Sequence, residues 1–168
     1  MGETTTQQLE QDGRADFDFI VGRWNVHHRR LRERLKGCTD WDEFDGTTED
    51  RSIVGGMGNI GEAAITLNAT PLTATSLRLF DPQTGQWSVY FTNSIQGVLS
   101  PPMTGGFSHG RGEFYAQEPF EGKNIFSRLI WSDITPNSCR WEQAFSADGG
   151  RTWETNWTME LSRQAEQP

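Results

Sequence analysis

Turn signals punctuate this chain at short, regular intervals, with strand-forming runs between them. Asp81-Pro82-Gln83-Thr84-Gly85 separates Ser76–Phe80 from Gln86–Asn93, and Phe120-Glu121-Gly122-Lys123 separates Glu113–Tyr115 from Ile125–Trp131. Thr135-Pro136-Asn137 leads into Cys139–Phe145, and Ser146-Ala147-Asp148-Gly149-Gly150 into Thr152–Leu161. Pro, Gly, Asn and Asp set turn dihedrals that regular structure does not continue. Short β-type runs at this spacing predict an all-β sandwich or barrel. Alternation agrees: Trp87, Val89 and Phe91 share one strand face, with Ser88, Tyr90 and Thr92 on the other. Trp141, Gln143 and Phe145 form a second such set, and Thr155, Trp157, Met159 and Leu161 a third.

A chain of 168 residues suffices for one core. The reading is one domain over 17–163, with polar, flexible ends at 1–16 and 164–168. A net charge of -8 argues against nucleic acid and against anionic membrane surfaces. No apolar run approaches the ~20 residues of a spanning helix, and Met1–Asp16 lacks a signal-peptide apolar core. A cytoplasmic protein is expected, with Cys38 and Cys139 as free thiols and no metal site. A homodimer is left open.

The first hairpin is patterned by charge. His28–Lys36 is strongly basic, and after Gly37 come Asp40-Trp41-Asp42-Glu43-Phe44-Asp45 and Glu49-Asp50. Folded back across Gly37–Asp40, the two arms oppose unlike charges, each pair worth ~0.2–1 kcal/mol and together fixing register. This compensation is a simpler use of the basic run than nucleic-acid binding. A short helix over Arg29–Lys36 competes with the strand, which is preferred. The glycine-rich Gly55–Gly61 lacks a phosphate-loop context and is expected as a bend or loop at the open rim. Gly97–Gly106, with Pro101 and Pro102, is expected as a second long loop.

Near the start stands Gly22-Arg23-Trp24, inside Phe17-Asp18-Phe19-Ile20-Val21-Gly22-Arg23-Trp24-Asn25-Val26. A Gly-x-Trp opening the first strand of an all-β chain resembles the lipocalin and wider calycin signature. The resemblance implies an antiparallel, up-and-down, lipocalin-like β-barrel of about eight to ten strands, closed at one end by Trp24. It also implies an arginine packed over that tryptophan. Arg163, just past Thr155–Leu161, is the first candidate and Arg128 the second. Most of the chain looks like a bacterial branch of calycin-like proteins. The likeness rests also on Leu79-Phe80-Asp81-Pro82 with Trp87, Trp131-Ser132-Asp133, and Trp141-Glu142-Gln143 before the turn that follows. This branch brings no substrate with it. Lipocalins proper are secreted and disulfide-bonded, and the chain departs from them on both counts.

Ser146-Ala147-Asp148-Gly149-Gly150-Arg151-Thr152-Trp153 matches the Asp-box of sialidase-like propellers. A single copy reads as a hairpin turn, with Asp148 bonded to its own amides and Trp153 anchoring the next strand.

The chemistry-bearing residues follow from facing. Period two puts Trp24, Val26 and His28 on one side, with Arg30 toward the mouth. An inward His28 is a satisfied core residue, a ligand donor, a general base or a haem ligand; the satisfied residue is preferred over catalysis. The leading expectation is a barrel binding a small apolar or aromatic molecule, without cofactor. Its walls would be Trp87, Phe91, Trp131, Trp141 and Trp157, and its polar anchors His28, Asn93, Arg128 and Gln143. The alternative is a metal- and nucleotide-independent cyclase, isomerase or hydrolase on a secondary-metabolite-like substrate. It would use His28 as acid/base with Arg128 or Tyr90 stabilising charge. Haem binding through His28 is a third reading, and a structural barrel without ligand a fourth.

Overall fold

The computed structural model describes residues 12–166. Ten antiparallel strands close into one barrel: β1 Gly22–Leu31, β2 Trp41–Ile53, β3 Gly58–Leu67, β4 Thr70–Asp81 and β5 Gln86–Asn93, then β6 Met103–Ser108, β7 Arg111–Phe120, β8 Lys123–Ser132, β9 Ser138–Ser146 and β10 Glu154–Arg163. Each strand pairs with its sequence neighbours, and β1 closes on β10 through Trp24↔Arg163 to Arg30↔Trp157. Closure leaves no free sheet edge.

The sequence of strands sorts the loops into two ends. A 3-10 turn at Asp18–Ile20 precedes β1, so the floor carries this turn and the β2–β3, β4–β5, β6–β7 and β8–β9 connections. The mouth carries residues 32–40, 68–69, 94–102, 121–122 and 147–153. Gly55–Gly61 therefore lies at the floor and in β3, not at the open rim. It bends so sharply because Gly55 and Gly56 take φ of 60° and 90°.

Two further expectations change. Gly105 and Gly106 sit inside β6 rather than in a loop. At Gly105 a Cβ would collide with the Glu113 carbonyl oxygen of β7, so glycine permits this close pairing. The first hairpin pairs only as far as Leu31↔Trp41, leaving Arg32–Asp40 as the connection. Arg29–Lys36 is thus neither all strand nor helix, because the basic run outlasts its acidic partners. The charge pairs across the hairpin are Arg23–Glu49 at 3.2 Å, His27–Asp45 at 2.8 Å and His27–Glu43 at 3.5 Å, Arg29–Glu43 at 2.9 Å and Arg32–Asp42 at 2.8 Å.

The core fills the floor half. Phe17, Ile20, Trp24, Trp87, Phe114 and Trp131 are buried there. Phe17 stands edge-on to Trp87 at 5.0 Å and to Trp131 at 6.1 Å between ring centroids. Such aromatic pairs add about 0.5–1.5 kcal/mol each beyond area burial. Of the expected flexible ends, residues 1–11 and 167–168 lie outside the described residues. Residues 12–16 lie against the floor, where the Gly13 carbonyl accepts from Trp87 Nε1 at 3.0 Å. Among the described residues no helix is long and apolar enough to cross a membrane.

Candidate functional site

Above the aromatic floor the walls change character. Inward positions there are filled by small residues: Ala63 on β3, Ala74 and Ser76 on β4, Ala116 on β7 and Ser127 on β8. Small side chains cannot meet across a ten-stranded barrel. A cavity of about 530 Å³ results, lined also by Phe91, Trp141, Trp157, Met159, Ile65 and Met103. That volume lies within the range of small-molecule sites. A smaller chamber of about 70 Å³ lies deeper, bordered by Thr48, Asp50, Arg78 and Val89. His28, Phe91, Trp141 and Met159 border both chambers.

His28 is buried and held by two aromatic neighbours. Its ring stacks on Phe44 at 4.7 Å, and Trp157 Nε1 donates to its Nδ1 at 3.1 Å. An indole N–H can only donate, so Nδ1 accepts and the ring proton sits on Nε2. Burial holds the imidazole neutral, pushing its pKa from 6.5 down to about 4, with His27 adding to the effect. The result is a neutral N–H donor bordering both chambers.

The other expected anchors divide. Asn93 lies at the cavity rim, where its Oδ1 accepts from the amides of Ile95 and Gln96 at 3.0 Å and shapes the 94–102 loop. Gln143 faces the cavity and donates to Asn156 Oδ1 at 2.8 Å. Asn156 itself sits in a bulge of β10, between Thr155↔Ala144 and Trp157↔Gln143. That bulge turns a regular alternation into one in which Asn156 is fully buried beside inward Trp157.

Arg128 and Tyr90 are on the outer face. Arg128 lies between inward Ser127 and Leu129, and its guanidinium packs 4.4 Å over the Trp153 ring outside the barrel. Tyr90 lies between inward Val89 and Phe91 and borders neither chamber. Neither touches the cavity, so neither anchors or stabilises anything inside it. Of the expected wall aromatics, Phe91, Trp141 and Trp157 line the cavity. Trp87 and Trp131 belong to the floor, with Trp131 reaching only the smaller chamber.

The floor pair is tightly made. Trp24 is fully buried and donates from Nε1 to the Ile20 carbonyl at 2.8 Å. Arg163 lies 4.1 Å over its ring and donates to the carbonyls of Val21, Phe19 and Pro136. The Asp-box segment is a hairpin turn. Asp148 accepts from Thr152 Oγ1 and N, and from Ser146 Oγ; these bonds hold its carboxyl down to about 2.

Sequence reasoning missed several inward polar residues, among them Asp50, Arg78, Arg34 and Asn156, and Glu118 on β7. Asp50 and Arg78 form a buried ion pair at 2.7 Å beneath the cavity, with Asn59 Oδ1 also accepting from Arg78 at 2.7 Å. Period two backward from Phe80 reaches Arg78 and would have placed it. Arg34 lines the cavity from the mouth connection, outside any strand, where periodicity gives no signal. Asn156 was hidden by the bulge.

No family model matches the chain, and no curated protein does. Among solved structures, an S-type phycobiliprotein lyase, CPES from Guillardia theta, has the same fold. It is 8% identical at a TM-score of 0.62, over 94% of this chain and 98% of that one. A redesigned β-barrel is similar at 15% identity and TM-score 0.49, over 90% and 96% of the two chains. EF1p2_mFAP2b bound to DFHBI is similar at 13% identity and TM-score 0.48, over 90% and 99%.

Proposed function

We propose that this barrel binds a small apolar or aromatic molecule in its interior. The observation that carries the reading is the cavity of about 530 Å³, walled by Phe91, Trp141, Trp157 and small apolar residues above a sealed floor. Rigid aromatic walls supply contact area, and a few fixed polar groups orient the ligand. Here those groups are the neutral His28 Nε2–H and the Gln143 amide. The fold shared with a phycobiliprotein lyase is in keeping with such a use of the interior.

The enzyme reading draws less support, since two of its three residues face outward and His28 is a weak base. Haem ligation through His28 Nε2 would move the ring proton to Nδ1, setting two N–H donors against each other at Trp157. Binding is tested by denaturing the purified protein and identifying the released small molecules by mass spectrometry, beside an Ala63→Phe/Ala74→Phe variant. The two alanines are cross-strand partners on the cavity wall. A compound enriched on the wild type alone is the expected result. Identical releases from both would contradict the reading.

A further inference from the structure

Two guanidinium groups line the mouth of the cavity without a counter-ion. Arg30, at the end of β1, lies 5.1 Å over the Trp157 ring. Arg34, in the connection after β1, lies 5.1 Å over Phe120 and 5.5 Å over Phe145. Among the described residues neither makes an ion pair, and Arg30 Nε is buried with no hydrogen-bond partner.

The neighbouring carboxylates are already engaged. Asp42, the cross-strand partner of Arg30, accepts from Arg32 Nε at 2.8 Å. Near Arg34, Glu154 accepts from the Leu35 amide at 2.7 Å, Glu121 pairs with Lys36 at 3.5 Å, and Glu118 accepts from Ser127 Oγ at 3.1 Å. Burial pushes the pKa of both arginines down, outweighing the opposing pull of Asp42 on Arg30 and of Glu118, Glu121 and Glu154 on Arg34, none of which closes to an ion pair with either. An arginine nevertheless stays charged. The aromatic faces hold both groups at the wall, with N–H donors in reach of the opening.

We infer that the ligand is an amphiphile with one anionic oxygen group, a carboxylate or similar oxyanion, received between Arg30 and Arg34 at the mouth while its apolar body fills the cavity below. This inference rests on the binding reading above. Charge-assisted bonds from guanidinium to an oxyanion are among the strongest polar contacts available, and a partly desolvated site strengthens them. The orientation follows from the same residues: deeper in, the polar groups are the neutral His28 and Gln143 and an Arg78 already paired with Asp50, so the charged end stays outward. The inward-facing Glu118 is the one carboxylate on the cavity wall and opposes the same anion.

The test uses N-phenyl-1-naphthylamine, a neutral fluorescent probe, displaced by dodecanoate or by its uncharged methyl ester. On the wild type, dodecanoate is expected to displace the probe at about tenfold lower concentration than the ester, with the advantage shrinking at high salt. Arg30→Met/Arg34→Met is expected to remove the preference, so that acid and ester displace the probe at the same concentration as each other. Glu118→Gln enlarges it. Equal displacement by acid and ester on the wild type overturns the inference and leaves the binding reading standing. Failure of the probe itself to bind the wild type overturns the binding reading, and this inference with it. The wild-type comparison decides the matter even where the double variant does not fold.

Discussion

The indole of Trp157 donates to His28 Nδ1 across 3.1 Å, joining β10 to β1 inside the barrel. The bond fixes which imidazole nitrogen carries the proton. It also makes His28 sensitive to acid: protonating Nδ1 would oppose two donors in a buried site. Between pH 6.5 and about 4 the unfolded chain takes up a proton that the folded chain refuses. Stability should therefore fall as pH drops through that window, by on the order of 3 kcal/mol for the full shift. His27 works the other way: Asp45 raises its pKa, a contribution present at low pH and lost as pH rises, but solvent screens it. Melting temperatures from pH 7.5 to 4.5 check this, and His28→Phe should flatten the decline. An unchanged slope in that variant would place the acid sensitivity elsewhere.

The floor should depend on Arg163 more than on any exposed arginine. Arg163→Ala removes three hydrogen bonds to carbonyls and the guanidinium over Trp24. A loss of about 2–4 kcal/mol is expected in urea unfolding. Gly22→Ala should also destabilise, because its φ of 130° is strained for alanine and the new Cβ would collide with Arg163 Nη1. Loss within 0.5 kcal/mol for Arg163→Ala would contradict the role.

The ion pair beneath the cavity should punish single substitutions. With Asp50 and Arg78 side chains 1% and 7% exposed, Asp50→Ala leaves a buried cation unpaired. The expected cost is about 3–5 kcal/mol. Asp50→Ala combined with Arg78→Met should recover part of it, which a double-mutant cycle in chemical denaturation would read.

Outer-face residues should leave binding alone. Tyr90→Phe and Arg128→Ala are expected to bind N-phenyl-1-naphthylamine within about twofold of the wild type, a free-energy change of about 0.4 kcal/mol. A tenfold loss in either would place that residue at the site.

The barrel was legible because its signals are local. Turn residues sit at the strand ends, and period-two alternation assigned Phe91, Trp141 and His28 to the inside. Gly22-Arg23-Trp24 and Arg163 lay where the lipocalin resemblance put a floor. The division of the interior was not legible. Trp87 and Trp141 are equally inward by alternation, yet one packs the floor and the other lines a cavity. That depends on height in the barrel, which strand register sets. Arg128 has the chemistry of an anchor, but the phase set by inward Leu129 and Trp131 puts it outside. Arg34 escaped because residues outside strands carry no facing signal.

The most direct measurement is a fluorescence titration of N-phenyl-1-naphthylamine into the wild type and into Ala63→Phe/Ala74→Phe. Two phenyl rings facing open space fill the hollow without overpacking the floor. The wild type should give a saturable, one-to-one rise in emission, and the variant, folded with an unchanged melting temperature, should bind at least about tenfold more weakly. Equal binding by both proteins would contradict a working cavity inside this barrel.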